Sequence, residues 1–197
     1  MYKPEVVVFK NKKKMNQIKL FGLTCLFLCF LSCGQTSQKK DHTIIENGWK
    51  SIDENSFSVQ YPEKWDMNKS GQMGVCLIFL SKQTSPQDKF RENVNVLIQD
   101  LSGKNIDLDK YVEISEEQIK TMITNGKLLE SKRLSKNGSE FQKVIYTGEE
   151  EIYKLKFEQY YLIKNDKAYV ITLTCELDQF EAYKTIGEKI LNSFQLN

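Results

Sequence analysis

The first part of the folded region alternates apolar and polar positions, which predicts strands. In SFSVQYPEKW, Phe57, Val59 and Tyr61 lie on one side of an extended chain and polar residues on the other. This period of two is typical of a half-buried strand. The continuous apolar run Val75–Ser81 predicts a buried strand, and the alternation in NVNVLIQDL predicts a third.

Two later segments have the spacing of helices. The first is expected to begin after the N-cap Asp107 and to end at Gly126, and the second to begin after Asp178, with Glu181 completing a capping box. Their apolar faces are formed by Leu108, Tyr111, Val112, Ile119, Met122 and Ile123 in the first helix and by Phe180, Tyr183, Ile190, Leu191 and Phe194 in the second.

Between the two helices the pattern predicts two hairpins. Asn137-Gly138 separates the strands 127–135 and 140–148, and Asn165-Asp166 separates the strands 153–164 and 167–174. Strands that follow one another directly, with helices set apart, indicate an α+β fold in which helices cover an antiparallel sheet.

Composition and charge exclude one class of partner. The chain has 197 residues, of which 40% are hydrophobic, and a formal net charge of +2. Residues 1–32 carry six lysines and one glutamate, so the remaining chain has a slight excess of acidic residues. A nucleic-acid-binding domain would carry a clear basic excess, and we therefore expect no nucleic-acid partner.

Residues 1–32 have the organisation of a secretory signal. Leu20–Leu31 (LFGLTCLFLCFL) is uncharged, and four lysines (Lys12, Lys13, Lys14 and Lys19) precede it. Twelve residues are too few to span a membrane, which takes about 20, but they suit the apolar centre of a signal peptide. Met15 begins a compact leader by itself, so a start of translation at Met15 is an open alternative.

The end of this leader resembles the lipobox of bacterial lipoproteins. Phe30-Leu31-Ser32-Cys33 has the small residue before cysteine that the pattern requires, although the family favours leucine at the position of Phe30. The resemblance implies that Cys33 receives a diacylglyceryl group, that cleavage occurs before it, and that its new amine is acylated, for example by palmitate. Residues 33–47 would form a lipidated tether, and Gly34, by resemblance to the enterobacterial sorting rule, favours the outer membrane.

The folded region, residues 48–197, contains the segments FSVQYPEKWDM, DLDKYVEISEEQIK, YVITLTCELDQFEAY and ILNSF. In these segments it resembles the PsbP-like superfamily, which includes the DcrB-like lipoproteins. The resemblance implies an α/β/α sandwich around an antiparallel sheet. It also implies a binding or assembly module, because the superfamily has no shared active site.

Two cysteines remain once the leader is removed and Cys33 is lipidated. An even number in an exported protein allows a disulfide between Cys76 and Cys175. The alternative is two buried thiols that behave as small apolar residues. No histidine or second cysteine stands near either one at zinc-binding spacing, so we expect no metal and no cofactor.

Four aromatic residues are candidates for contact with a partner or ligand. Tyr61 and Trp65 could line a groove, and because Tyr160 and Tyr161 are adjacent in a strand, one of them should face away from the core. The alternative is that all four belong to the core. The acidic run 149–151 is either a contact for a cation or basic partner, or a solvated hairpin tip.

These features favour a membrane-anchored, exported binding or assembly module with an unknown envelope partner. A carrier with a pocket for a small or apolar ligand between helices and sheet is the alternative. No set of nucleophile, base and orienting residue is evident, so we expect no enzyme. A structure that places Cys76 or Cys175 beside clustered acids in a cleft would instead favour a hydrolase or metalloenzyme.

Metabolic labelling with a radioactive fatty acid tests the lipobox. We expect the wild-type chain to be labelled and the Cys33→Ser chain to lose the label, because the thiol of Cys33 is the acceptor that the resemblance implies. Equal labelling of the two chains would contradict the assignment.

Overall fold

The computed structural model describes residues 48–69, 71, 75–136 and 138–197 with their side chains, and residues 43–46 by their backbone. These residues form two α-helices and eleven β-strands. The strands before the first helix are β1 (Thr43–Glu46), β2 (Trp49–Glu54), β3 (Phe57–Pro62), β4 (Asp66–Asn68), β5 (Val75–Leu80) and β6 (Asn93–Asp100). The remaining elements are α1 (Leu108–Met122), β7 (Thr124–Lys136), β8 (Ser139–Glu150), β9 (Tyr153–Lys164), β10 (Lys167–Glu176), α2 (Phe180–Ser193) and β11 (Gln195–Leu196).

The strands form two antiparallel sheets, where the sequence predicted one. The larger sheet has seven strands in the order β4-β5-β6-β10-β9-β8-β7, and the smaller has four in the order β1-β2-β3-β11. β1 lies inside the segment predicted as a tether and pairs with β2. Cys33 and Gly34 lie outside the described residues. None of the helices in the described part is long and apolar enough to cross a membrane.

The seven-stranded sheet is the middle of three layers. Along β10, Ala168 and Val170 belong to a core on the side of α1, whereas Ile171, Leu173 and Cys175 belong to a core on the side of α2. The second core also contains Ile52, Phe57 and Val59 of the small sheet. Because successive side chains of a strand point to opposite faces, this arrangement buries both faces of the central strands and is the α+β architecture that the sequence predicted.

The N-terminal cap of α1 is confirmed, but two other predicted boundaries are wrong. The Asp107 carboxylate accepts a hydrogen bond from the Lys110 N–H at 2.8 Å. Gly126 does not end α1; Ile123 already has extended backbone, with φ −89° and ψ 130°, and Gly126 lies in β7. Gln179, not Asp178, is the N-cap of α2, and the Glu181 carboxylate is 3.3 Å from Lys156 Nζ.

The turn predicted at Asn165-Asp166 is present. Both residues have positive φ, 51° and 54°, as a two-residue hairpin turn requires. In the other hairpin, Lys136 pairs with Ser139, and Gly138 has φ 76°. Asn137 lies outside the described residues. The turn residues in the sequence therefore fix where the chain reverses between β7 and β8 and between β9 and β10.

α2 approaches the sheet closely at Gly187. A Cβ atom added there would lie 2.5 Å from Leu173 Cδ2 and 2.7 Å from Leu173 Cδ1, closer than atoms can pack. Leu173 is fully buried and surrounded by core residues, so it has no free space into which to move. The missing side chain of Gly187 is what lets the helix rest directly on β10.

Gly187→Ala should destabilise the domain, although alanine is the better helix former by about 1 kcal/mol. We expect the free energy of unfolding to fall by about 1–2 kcal/mol, because the methyl group overpacks the contact with Leu173. Thr185→Ala, at an exposed position of the same helix, is the control. Urea titrations monitored by circular dichroism give both values, and equal stability of the two variants would contradict the close contact.

Candidate functional site

Cys76 and Cys175 are both free thiols, so the predicted disulfide does not form. Cys76 is in β5 and Cys175 in β10, and β6 lies between these strands. Two strand spacings are about 9.5 Å, which exceeds the Cα separation of about 7 Å that a disulfide can bridge. The structure therefore contains two separate thiols, which is the alternative to a disulfide that the sequence left open.

Neither thiol is arranged as a nucleophile. Burial raises the pKa of Cys76 to about 11, and its Sγ lies 3.1 Å from the Val96 carbonyl oxygen in a hydrogen bond. Burial also raises the pKa of Cys175, and the negative charge of Glu92 raises it further. Reactive cysteines need the thiolate and therefore electropositive surroundings, so the acidic groups near Cys175 oppose catalysis by it.

The four aromatic candidates are core residues, which corrects the prediction that they contact a partner. Tyr61 is stacked on Phe79 with ring centroids 4.5 Å apart. Trp65 makes an edge contact of 6.2 Å with Tyr183. Both Tyr61 and Trp65 are buried, and they fill the junction between the small sheet, the large sheet and α2.

Tyr160 and Tyr161 point to opposite faces of the sheet, as predicted for neighbours in a strand, but both faces are covered. Tyr160 packs against Phe141 in the core on the α2 side, with ring centroids 4.9 Å apart. Tyr161 makes an edge contact of 5.3 Å with Tyr111 of α1. Only 6% and 2% of their surfaces are exposed, so neither presents a ring to a partner.

The two ends of the large sheet differ in structure. We call the end formed by the C-termini of β5, β8 and β10 the pocket end, and the opposite end, which carries the 165–166 turn, the entry end. β1 runs from Thr43, opposite Ser51, to Glu46, opposite Trp49, and Trp49 pairs with Pro62 near the pocket end. β1 therefore runs toward the pocket end, and Thr43, its first residue, lies on the side of the entry end.

A polar cavity of about 210 Å³ opens at the pocket end. It lies between the β5–β6 loop and the start of α2 and is lined by Thr84, Ser85, Asp88, Glu92, Glu176, Gln179 and Tyr183. Asp88 shapes the loop, because its carboxylate accepts hydrogen bonds from the N–H and the hydroxyl of Thr84 at 2.8 and 3.0 Å. Glu176 ends β10, which brings a third carboxylate to the cavity.

The carboxylates of this cavity repel one another. Burial raises the pKa of Glu92, and the charges of Asp88 and Glu176 raise it further, against a 3.3 Å hydrogen bond donated by Ser81. Burial and the charges of Asp178 and Asp88 likewise raise the pKa of Glu176. The cavity is therefore electronegative. Within the described residues, no group of three or more histidine, cysteine or acidic side chains is arranged to hold a metal ion.

The pocket end also carries exposed aliphatic side chains beside the acidic run 149–151. Ile152, in the turn after β8, is 86% exposed, and Leu177, after β10, is 45% exposed. The two segments are joined by a 2.8 Å hydrogen bond from the Leu177 N–H to the Lys154 carbonyl. Apolar side chains therefore project at the same end of the molecule as the acidic cavity.

A buried cluster of charges lies between α2 and the sheet. Glu158 in β9 is fully buried, and its Oε1 is 2.9 Å from Nζ of Lys143 in β8. The same ammonium group is 3.2 Å from Oε1 of Glu188 in α2. The pKa of Glu158 is raised, chiefly by burial and further by the charge of Glu188, although the Lys143 ammonium lowers it. Burial alone would lower the pKa of Lys143, but its contact with Glu158 raises it.

The sequence contained a signal for this cluster that periodicity alone could have found. In the predicted strand 153–164, positions 156, 158, 160 and 162 share a face, so Glu158 stands between a lysine and an aromatic residue on a buried side. The cavity offered no such signal. Its residues come from a loop and from the end of a strand that are far apart in the chain.

Comparison with known proteins identifies the family. The PsbP family model matches residues 48–196, and the chain therefore belongs to the PsbP family. No curated protein sequence matches the chain. Similar structures include the cyanobacterial PsbP (CyanoP) of Synechocystis sp. PCC 6803, with 14% identity, a TM-score of 0.60, and coverage of 84% of this chain and 98% of that chain.

Two further similar structures come from other bacteria. LpqN of Mycobacterium tuberculosis, described as involved in cell envelope biogenesis, has 10% identity and a TM-score of 0.56 over 76% of this chain and 91% of that chain. A Pseudomonas aeruginosa protein of unknown function has 15% identity and a TM-score of 0.53 over 69% of this chain and 88% of that chain. At these identities the likeness establishes a shared fold, with its antiparallel sheets and two helices.

A titration of thiols tests whether Cys76 and Cys175 are free and buried. Cys76→Ser and Cys175→Ser should each remove one thiol from the total titrated with a thiol reagent in denaturant without reductant. In the native protein at pH 7 we expect neither thiol to react rapidly, because both are protonated and at least partly buried. A gain of one thiol in either variant would mean that the two cysteines are joined in the wild type, because replacing one member of a disulfide frees the other.

Proposed function

We propose that the protein is an exported lipoprotein of the cell envelope that acts as a binding or assembly module and not as an enzyme. The leader and Cys33 supply the anchor, and the PsbP-like domain supplies the binding surface. In this proposal the domain contacts another envelope component through its outer surface.

The observation that carries this proposal is the close packing of the layers. α2 lies directly on β10 at Gly187, and a Cβ atom added at Gly148 would lie 2.3 Å from Ile123 Cγ2 at the end of α1. A carrier of the predicted kind would need space between helices and sheet for its ligand. Both helices instead rest on the sheet with side chains in contact, which favours binding at the surface.

The path of the chain supports one orientation. Nine residues lie between Cys33 and Thr43, so the two are ten Cα–Cα steps apart and at most about 35 Å from each other. A domain on so short a tether stays near the membrane, with its entry end toward the lipid. The pocket end, with Ile152 and Leu177 among acidic residues, then faces away from the membrane. Such a surface suits a partner protein with aliphatic and basic groups.

The similarity to LpqN supports the cellular setting. That protein is described as involved in cell envelope biogenesis, and the cyanobacterial PsbP shows the same fold. An envelope location is consistent with both the leader and this relative. Attachment by lipid and the choice of the outer membrane rest on the lipobox and on Gly34.

Site-specific photo-crosslinking in intact cells tests the proposal. A photoreactive amino acid at position 152 should give a discrete crosslinked product with a protein of the envelope fraction. The same residue at position 105, in the loop at the entry end, should not give that product. In the Cys33→Ser background we expect the product to be lost or at least tenfold weaker, because the domain no longer stays at the membrane.

Two controls make the result decisive. Wild-type and Cys33→Ser chains must be present in equal amounts and equally folded, as judged by resistance to protease. Crosslinking that is equal at positions 152 and 105, or unchanged without Cys33, would contradict an anchored module with an outward-facing pocket end.

A further inference from the structure

Glu158 is the most deeply buried acid that the structure describes. Its exposed fraction is 0%, and it lies in the middle of β9 on the face that packs against α2. Nζ of Lys143, 2.9 Å from its Oε1, is the cation that faces it, and Tyr160 of the same strand lies beside it. A fully buried carboxylate with one shared cation is only partly compensated for the loss of water.

The ammonium group of Lys143 contacts two carboxylates. It lies 2.9 Å from Glu158 and 3.2 Å from Glu188 of α2. Glu188 retains some access to solvent, with 31% of its side chain exposed, whereas Glu158 has none. Two carboxylates and one ammonium carry a net charge of −1, and a buried cluster of this kind gains by binding a proton.

We propose that Glu158 is a proton-binding site that couples acidification to tighter packing of α2 on the sheet. On acidification the buried carboxylate of Glu158 takes up one proton and becomes neutral. The ammonium of Lys143 is then paired with Glu188 alone, and this ion pair connects β8 to α2. The inference holds whether or not the domain is anchored to a membrane.

The groups that face Glu158 come from each packed element. Lys143 faces it from β8, Glu188 from α2, and Tyr160 from its own strand. On β10, Cys175 is close enough for the charge of Glu158 to raise its pKa, and Lys156 acts on Cys175 in the opposite direction. Lys156 is itself paired with Glu181. Lys143 is thus the cation in contact with Glu158, and it is shared.

The direction of the pH dependence follows from the raised pKa of Glu158. A carboxyl group whose pKa is higher in the folded than in the unfolded state stabilises the fold below the unfolded pKa. This contribution is lost as the pH rises through the folded pKa. The wild type should therefore gain stability on mild acidification relative to a chain in which residue 158 cannot titrate.

Carboxyl NMR of the full-length Cys33→Ser chain, labelled with ¹³C at the glutamate carboxyls, tests the site directly. We expect the Glu158 signal, assigned by its loss in Glu158→Gln, to titrate at a higher pH than those of the exposed glutamates. Glu188→Gln should lower this midpoint, because the competing carboxylate is gone and Lys143 pairs with Glu158 alone. Glu117→Gln, at an exposed position of α1, should leave it unchanged.

Thermal unfolding between pH 8 and pH 5 gives an independent reading. The melting temperature of the wild type minus that of Glu158→Gln should increase as the pH falls, by about 4 °C for each unit by which the pKa of Glu158 is raised. A Glu158 midpoint within the range of the exposed glutamates would overturn the proposal. So would a midpoint that Glu188→Gln leaves unchanged. If Glu158→Gln does not fold, the Glu158 carboxyl is assigned instead by through-bond NMR connection to its own backbone in a uniformly labelled wild-type chain, and the Glu188→Gln titration then decides the question.

Discussion

The burial of β10 on both faces is the constraint on which the rest of the structure depends. Its residues from Ala168 to Cys175 are all buried, and alternate side chains enter the two cores. A strand of this kind needs a cover on each face, because antiparallel sheets otherwise leave one face to water. α1 supplies one cover, and α2 with the small sheet supplies the other. Gly187 allows the second cover to approach the strand closely, and Tyr160 and Tyr161 are buried by the same two layers.

This constraint directs function to the ends and edges of the sheet. With both faces occupied, aromatic side chains that could have recognised a partner are used for packing. What the described surface offers instead is the pocket end, where a loop, a turn and the end of β10 bring acidic and aliphatic side chains together. The buried cluster of Lys143, Glu158 and Glu188 is different, because it places charged groups between α2 and the sheet, where the other contacts are mainly apolar. A domain with a closely packed interior, and with its distinctive surface at the pocket end, is consistent with membership of the PsbP family.

The sequence predicted the long elements well because their signals are local. Period-two alternation, a helix cap at Asp107 and the turn at Asn165-Asp166 each depend on a few neighbouring residues. The strands β1, β2, β4 and β11 were not predicted, because each is short and carries too few apolar positions to show a clear alternation, and β11 in addition pairs with the distant strand β3. The cap of α2 was misassigned because Glu181, which would complete a capping box, lies beside Lys156 of β9 instead. The acidic cavity was not predictable, since Asp88, Glu92 and Glu176 meet only in the folded chain. Pairing between Cys76 and Cys175 depended on strand order, which local patterns do not contain.

Amide hydrogen exchange of the lipidated chain in lipid vesicles tests the central claim most directly, with the Cys33→Ser chain in buffer as the reference. The account predicts that β10 exchanges most slowly in both samples. Membrane attachment should slow exchange at the entry end, in the loop 102–105 and the turn 165–166, and leave the segments 84–92 and 149–153 of the pocket end unchanged. Slower exchange at the pocket end, with no change at the entry end, would contradict the proposed orientation. It would mean that the acidic end faces the membrane.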